Sequence, residues 1–150
     1  MATTDEIKAL RDATGVSVMQ CKKALEEAGG DMEKAIVILR KIAAAGAGKK
    51  SDRALGAGTV AAYTHTTGQV GALVLLSSET DFVSKHEEFI ALARDIAMHA
   101  AAMRPASVEE LLSQAFIKDP SKTIKDLLSG ATQKFGERIE VSQLSCISVK

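Results

Sequence analysis

Aromatic residues are scarce in this sequence, with one tyrosine, four phenylalanines and no tryptophan among 150 residues. A protein that stacks nucleic-acid bases on aromatic rings has little to work with here. An excess of one charge is lacking as well. The 19 basic and 19 acidic residues cancel, and neither sign collects into a block that could hold a phosphate backbone, so direct, specific nucleic-acid binding is not expected. Cysteine occurs twice, as Cys21 and Cys146, outside any CxxC or Cys/His cluster, which excludes a zinc site of the usual spacing. Buried structural thiols are one reading, and pairing of Cys146 across a dimer is the other. No apolar run approaches the ~18 residues that a membrane span needs. The opening MATTDEIKALRDATG is charged where a signal peptide has its apolar segment. No membrane contact and a cytoplasmic location are the expectations.

What is present is a hydrophobic content of 46%, enough for one ordinary core or two small ones. Residues 1–45 read as three short helices. Thr3 and Glu6 form a capping-box pattern ahead of Ile7 and Leu10, and Gly15 ends the helix. Ser17 and Gln20 repeat the pattern before Cys21, Ala24, Leu25 and Ala28, stopped by Gly29 and Gly30. Asp31 caps a third helix with Ala35, Ile38, Leu39 and Ile42 at helical spacing. Residues 46–57, rich in glycine, alanine and charge, read as a linker.

Residues 58–150 then read as a small α+β unit. A β-hairpin turns at Thr66 to Gln69, with Gly68 free to take positive φ, and its apolar second strand, Val70 to Leu76, belongs at the centre of a sheet or under cover on both faces. Ser84 and Glu87 suggest a capping box for a long helix through Phe89, Leu92, Ala93, Ile96, Ala97 and Ala100 to Pro105. Ser107 and Glu110 open a short helix with Leu111, Leu112 and Ala115 inward, ended by Lys118-Asp119-Pro120. Ile124, Leu127, Leu128, Ala131 and Phe135 describe a last helix stopped by Gly136, and RIEVSQLSCISVK a returning strand that changes phase near Gln143, as a bulge would make it. The fold class expected is α+β: a three-helix module, a linker, and a small antiparallel sheet packed with helices.

Catalytic chemistry finds little support. GAGKKS, Gly46 to Ser51, lacks the GxxxxGK[ST] spacing and the preceding strand of a phosphate loop. His86 and His99 are thirteen positions apart on the expected helix and so project to different sides; with His65, they read as solvated or lightly packed. Glu79 and Asp81 could face a cation, but Ser77, Ser78 and Thr80 add too few oxygen ligands, and an exposed polar corner is the simpler reading. No nucleophile, base and orienting group stand together. The chain is expected not to be an enzyme and to need neither metal nor cofactor.

The stretch SSETDFVSKHEEF, Ser77 to Phe89, places a bulky aromatic beside a carboxylate at a strand-to-helix corner. Thr80-Asp81-Phe82-Val83 with the following EEF resembles the signature of the elongation factor Ts family, the guanine-nucleotide exchange factors for elongation factor Tu. Leu10 to Lys41 resembles that family's ubiquitin-associated-like N-terminal module, including Thr14-Gly15, Cys21 to Leu25 and Gly30-Asp31, and YTHTTGQVGALVLL and ARDIAMHAAAMRP resemble its core. The resemblance implies that Asp81 and Phe82, flanked by Thr80 and Val83, intrude beside the magnesium and phosphate site of elongation factor Tu and release GDP. It also implies that Val16, Met19, Lys22 and Lys23 dock the N-terminal module on that partner. The chain departs from the family in carrying Ser77-Ser78 where Asn-Cys is common, and in running from Pro105 almost directly into VEELLSQAFIKDPSKTIKDLL, where longer members carry a second subdomain and further helices. That shortening points to two copies pairing to complete the interaction surface. A competing reading is a three-helix adaptor that recruits another protein or a ubiquitin-like tail, with the α+β part as a dimerisation platform.

Overall fold

In the computed structural model, which describes residues 1–49 and 52–150, the N-terminal helices are α1 (Thr4–Thr14), α2 (Val18–Glu27) and α3 (Met32–Lys49). Their starts follow from the capping residues. The Glu6 amide donates to Thr3 Oγ1 at 3.2 Å and the Thr3 amide to Glu6 Oε2 at 2.8 Å. Ser17 Oγ receives the Gln20 amide, and Asp31 Oδ1 the Lys34 amide at 3.1 Å. Leu10, Val16, Cys21, Ala24, Leu25, Ala35 and Leu39 close into one buried cluster. Ile42, expected to line this core, is exposed, and α3 runs on to Lys49, into the stretch expected to be linker. Alanine and lysine favour helix and no proline interrupts, so glycine alone does not stop it. Lys50 and Ser51, also assigned to that linker, lie outside the described residues.

The sheet is antiparallel in the order β1 (Ala57–Thr64), β2 (Val70–Ser78), β5 (Glu140–Ser148). Gly68, at φ 70°, lets the turn close, and the His65 amide reaches Val70 O at 2.9 Å. Strand β2 is central, as its apolar run predicts, and the register between β2 and β5 shifts at Leu75/Leu76, where Gln143 and Val141 stand opposite and Ser142 is passed over. Helix α5 (Glu87–Met103) covers one face. Its Phe89, Ala93, Ile96, Ala97 and Ala100 are buried against Ala61, Ala72, Val74, Leu76 and Val141. The other face stays open, with Val60, Leu73 and Ile147 exposed. Cys146 is on the helix-facing side, where its thiol donates to Ala100 O at 3.5 Å and burial pushes its pKa up.

The segment after α5 departs from expectation. Helix α6 (Val108–Ser113) ends early, because Gln114 turns to extended backbone and its carbonyl receives the Ile124 amide at 3.1 Å. A small hairpin follows, β3 (Ala115–Phe116) with β4 (Asp119–Thr123). Ala115 is therefore exposed and Phe116 takes the inward place. His99, expected to be solvated or lightly packed, is fully buried instead. Its Nδ1 accepts the Ile117 amide at 3.2 Å, so Nε2 carries the hydrogen and donates to Gln114 Oε1 at 2.9 Å. With both nitrogens satisfied, the ring pins the hairpin to α5.

Helix α7 (Ile124–Phe135) starts at a capping box of Thr123 and Asp126 and ends at Gly136, φ 72°. It packs against α3 and so joins the two clusters. Lys134 lies against Gly15 of the α1–α2 turn and also pairs with Glu88 at the start of α5. Lys134 holds the Glu88 carboxyl below its ordinary range by hydrogen bond and charge. The link is therefore present at neutral pH and is lost as pH falls through that lowered value.

Phe89, wholly buried between α5 and the sheet, is the side chain on which the C-terminal cluster closes. Replacing it with alanine is expected to cost about 3–5 kcal/mol of stability, read as a lower urea midpoint in equilibrium unfolding followed by circular dichroism.

Candidate functional site

The corner singled out by the sequence is built where β2 runs out. Thr80 caps a single helical turn, α4 (Asp81–Ser84), by receiving the Val83 amide on Oγ1 at 3.5 Å. Thr59 Oγ1 of β1 donates to Ser84 O at 2.8 Å, Ser84 Oγ to Asp81 O at 3.2 Å, and Ser78 Oγ to Thr80 O at 3.0 Å. A single isolated turn has no helical cooperativity to rely on. These side-chain bonds, with Val83 buried beneath, hold it in place.

Within that turn the side chains divide sharply. Val83 and Ser84 are buried, while Phe82 is 84% exposed. Phe89 and Phe116 are both in the core, so exposure of Phe82 is the exception within this chain. Next to it, the exposed Asp81 carboxylate makes no hydrogen bond or ion pair among the described residues. Of the four residues expected to meet a partner, Asp81 and Phe82 therefore face outward. Val83 does not, because the turn needs an apolar side chain underneath. The Thr80 hydroxyl is occupied in holding the corner, donating to Glu137 Oε2 at 2.7 Å.

The corner, expected to be polar and exposed, is exposed at Thr80 and Asp81 and is also braced by hydrogen bonds. Glu137 Oε1 receives the amides of Glu79 at 3.2 Å and Thr80 at 3.1 Å. Glu79 Oε2 in turn receives the Arg138 amide at 2.6 Å and faces Arg53 Nη1 at 3.4 Å. Arg138 Nη1 donates to Arg53 O, and its Nε and Nη2 reach Glu140 Oε1 at 3.0 and 2.8 Å. Sequence reasoning did not find Glu137, Arg138 or Arg53. A signal existed for the first two: Ser77 pairs with Glu140, and continuing that antiparallel register brings 79–80 beside 137–138. The expected Ser84–Glu87 capping box is not formed. Ser84 is turned inward, and α5 is capped by His86, whose Nδ1 receives the Glu88 amide at 3.1 Å.

The Ser77-Ser78 pair is satisfied locally, Ser77 Oγ meeting Ser142 Oγ at 2.7 Å. In the helical module, Met19 is 81% exposed. Lys22 and Lys23 are exposed too, and Lys22 makes only a loose 4.0 Å pair with Glu26. Val16, grouped with them from the sequence, is instead part of the module core, because the short turn between α1 and α2 folds it under Leu10 and Cys21. His65 contacts Tyr63 Oη at 3.2 Å, remote in role from His86 and His99. Among the described residues, no group of three or more His, Cys, Asp or Glu is placed to hold a metal ion, and no helix is long and apolar enough to cross a membrane.

A family model described as "Elongation factor TS" matches residues 79–150, starting at this corner. The chain is 43% identical over 146 residues to a protein of Trichlorobacter lovleyi named "Elongation factor Ts", covering 97% of this chain and 47% of that protein. It thus spans about half the length of that relative. It is 38% identical to the "Elongation factor Ts" of Leptospira biflexa over 192 aligned positions, covering 98% of this chain and 97% of that protein. That alignment is longer than the chain itself, so the Leptospira protein carries segments with no counterpart here. A Thermotoga petrophila protein of the same name is 43% identical over 148 residues, covering 90% of this chain and 74% of its own.

Neighbouring residues of α4 should answer truncation differently. Phe82→Ala is expected to leave the urea midpoint within the range of an ordinary surface change, about 0.5 kcal/mol. Val83→Ala, one position on but buried, is expected to cost about 1–2 kcal/mol. Equal losses at both positions would place Phe82 in the core.

Proposed function

This chain belongs to the elongation factor Ts family, and we propose that it promotes release of GDP from elongation factor Tu by inserting the Asp81-Phe82 corner beside that partner's magnesium and phosphate site. The observation that carries the reading is the exposed phenylalanine next to an exposed carboxylate, without a partner among the described residues, on a braced one-turn helix. Burying a phenylalanine in a partner pocket contributes about 1.5–3 kcal/mol, and a corner already held in shape loses little entropy in doing so. Asp81 brings negative charge to a site whose cation is held by phosphate oxygens. Magnesium demands near-octahedral geometry, so a small displacement of its surroundings weakens the nucleotide. Linkage makes the effect reciprocal: a factor that lowers nucleotide affinity binds the nucleotide-free partner more tightly by the same ratio. Entering GTP then displaces the factor. No covalent step and no cofactor are required, and the chain acts in the cytoplasm as a binding protein rather than an enzyme.

In this reading the ubiquitin-associated-like module supplies a second contact through Met19, Lys22 and Lys23, an apolar anchor with cations around it. Two copies pair through the open sheet face. Its Val60, Ala62, Leu73, Leu75, Ser145 and Ile147 carry no charge, and Glu140 at its end is paired with Arg138, so a second copy related by a two-fold axis meets little like-charge repulsion there. Cys146 is on the opposite face and does not crosslink such a pair. The adaptor reading draws on the exposure of Val18 and Met19, and Phe82 separates the two.

Release of a fluorescent GDP analogue from elongation factor Tu is expected to be strongly accelerated by the wild-type chain, and at least tenfold less by Phe82→Ala at equal concentration, the loss typical of a buried aromatic anchor. Binding to elongation factor Tu without acceleration by either protein would favour the adaptor. Size-exclusion chromatography with light scattering is expected to give the mass of a dimer at micromolar concentration, reverting to monomer in Ile147→Lys.

A further inference from the structure

Beyond Ser77 the backbone ladder between β2 and β5 stops, yet the two segments stay together through side chains. The Glu137 carboxylate takes the amides of residues 79 and 80, and the Glu79 carboxylate takes the amide of residue 138. Each segment thus satisfies backbone donors of the other, and the last strand pairing is extended by carboxylates in place of carbonyls. From this geometry we infer that Glu137 is a positioning residue for the exchange reaction, with Glu79 as its reciprocal half: together they fix the direction in which α4 presents Phe82. The inference rests on the function proposed above and assigns to it residues that touch neither nucleotide nor magnesium.

Thr80 Oγ1 donates to Glu137 Oε2 at 2.7 Å and accepts the Val83 amide at 3.5 Å, so the bonds run from Glu137 directly into the cap of α4. Phe82 is two residues from Thr80 and has no packing of its own to aim it, being 84% exposed. Its direction is therefore inherited from the backbone of residues 79–81. Charge-assisted hydrogen bonds are the stronger kind, and here a single carboxylate makes three. Arg138, held by Glu140, keeps Glu79 in register from the other side, and Arg53, just beyond the helical module, meets the same carboxylate at 3.4 Å. The chain segments on either side of the corner are thus tied to it at one point.

The amide contacts of Glu137 both fall on Oε1, which makes a specific expectation possible. Glutamine keeps an oxygen there, and its amide nitrogen can donate to Thr80 Oγ1, so Glu137→Gln should restore what Glu137→Ala loses. In the guanine-nucleotide release assay at saturating factor, Glu137→Ala is expected to lower the maximal rate about tenfold or more, from the loss of bonds to a charged group. Its half-saturating concentration should move less than about threefold, because the remaining contacts still dock. Glu137→Gln should remain within about threefold of wild type. A partner-free readout separates this inference from the exchange reading. The sequence has no tryptophan, so Phe82→Trp installs a lone reporter whose anisotropy decay in the free chain is expected to show faster local motion when Glu137→Ala is added, and not when Glu137→Gln is. Glu79→Ala, which cuts the reciprocal half, should give the same pattern more weakly and serves if Glu137→Ala unfolds. Unchanged maximal rate and unchanged decay in folded Glu137→Ala overturn the positioning role. An inactive wild type overturns the exchange reading, while the anisotropy still decides whether the carboxylates hold the corner.

Discussion

The packing of α5 on one face of the three-stranded sheet is the constraint from which the rest follows. Alanines at 93, 97 and 100 keep the helix face low, so Phe89 and Ile96 can fill the space over Val74 and Leu76 with no exposure at all. A chain of this size has one long helix to spend on its sheet. Covering the inner face therefore leaves the outer face open, with Val60, Leu73 and Ile147 in water. Helices α6 and α7 close the inner cluster from the side, and α7 then serves twice, since its other flank receives α3. The helical module is thereby seated on the same element whose end delivers Glu137 to the corner.

The corner is stabilised in a different way from the core. Hydrophobic burial under α4 amounts to Val83 and little more, and an exposed phenylalanine contributes nothing to folding. Hydrogen bonds donated by Thr59, Ser78 and Ser84 and accepted by Glu137 supply the order instead. Such bonds are individually worth only about 0.5–1.5 kcal/mol, but they are directional, and direction is what an outward anchor needs. An apolar support of equal strength would have hidden Phe82. Polar bracing lets a hydrophobe stand out from the surface without collapsing onto it.

Much of this was legible in the sequence because local chemistry decides it. The capping residues Thr3, Ser17 and Asp31, the Gly68 turn, the central place of β2 and the phase change near Gln143 depend on neighbours a few residues apart. The parts that were not legible depend on partners far along the chain. His99 can be buried only because Gln114 and the Ile117 amide meet its two nitrogens, and Gln114 is also where α6 gives way to an unexpected hairpin. The family resemblance grouped Val16 and Val83 with surface residues, whereas a tight turn sends adjacent side chains to opposite sides. Glycine at 46 and 48 suggested a linker, but alanines and lysines around them sustain the helix. The Asp81-Phe82 pair stood out in the sequence, and its outward orientation is what the structure adds. The carboxylate pairing that holds it spans nearly sixty residues and has no local signature.

If module and corner act on one partner, as proposed above, they must keep a fixed relation, and the connection between them bears on that role. Besides the packing of α3 on α7, two side-chain paths link them here. One passes through the α1–α2 turn, where Gly15 lies against Lys134 and Lys134 pairs with Glu88 at the start of α5. The other passes through Arg53, which meets Glu79 at the base of the corner. The first reaches the module only through the Lys134 stem lying against Gly15, and the second is a partly solvated ion pair, so each alone is weak. Their combination with the α3–α7 packing gives a relation firm enough to present two contacts together. In the exchange role proposed above, binding by the module would raise the local concentration of the corner at its target, and Phe82 would not need to bind tightly by itself. A weak anchor held in the right direction suits that proposed role, in which the factor must also let go once GTP enters.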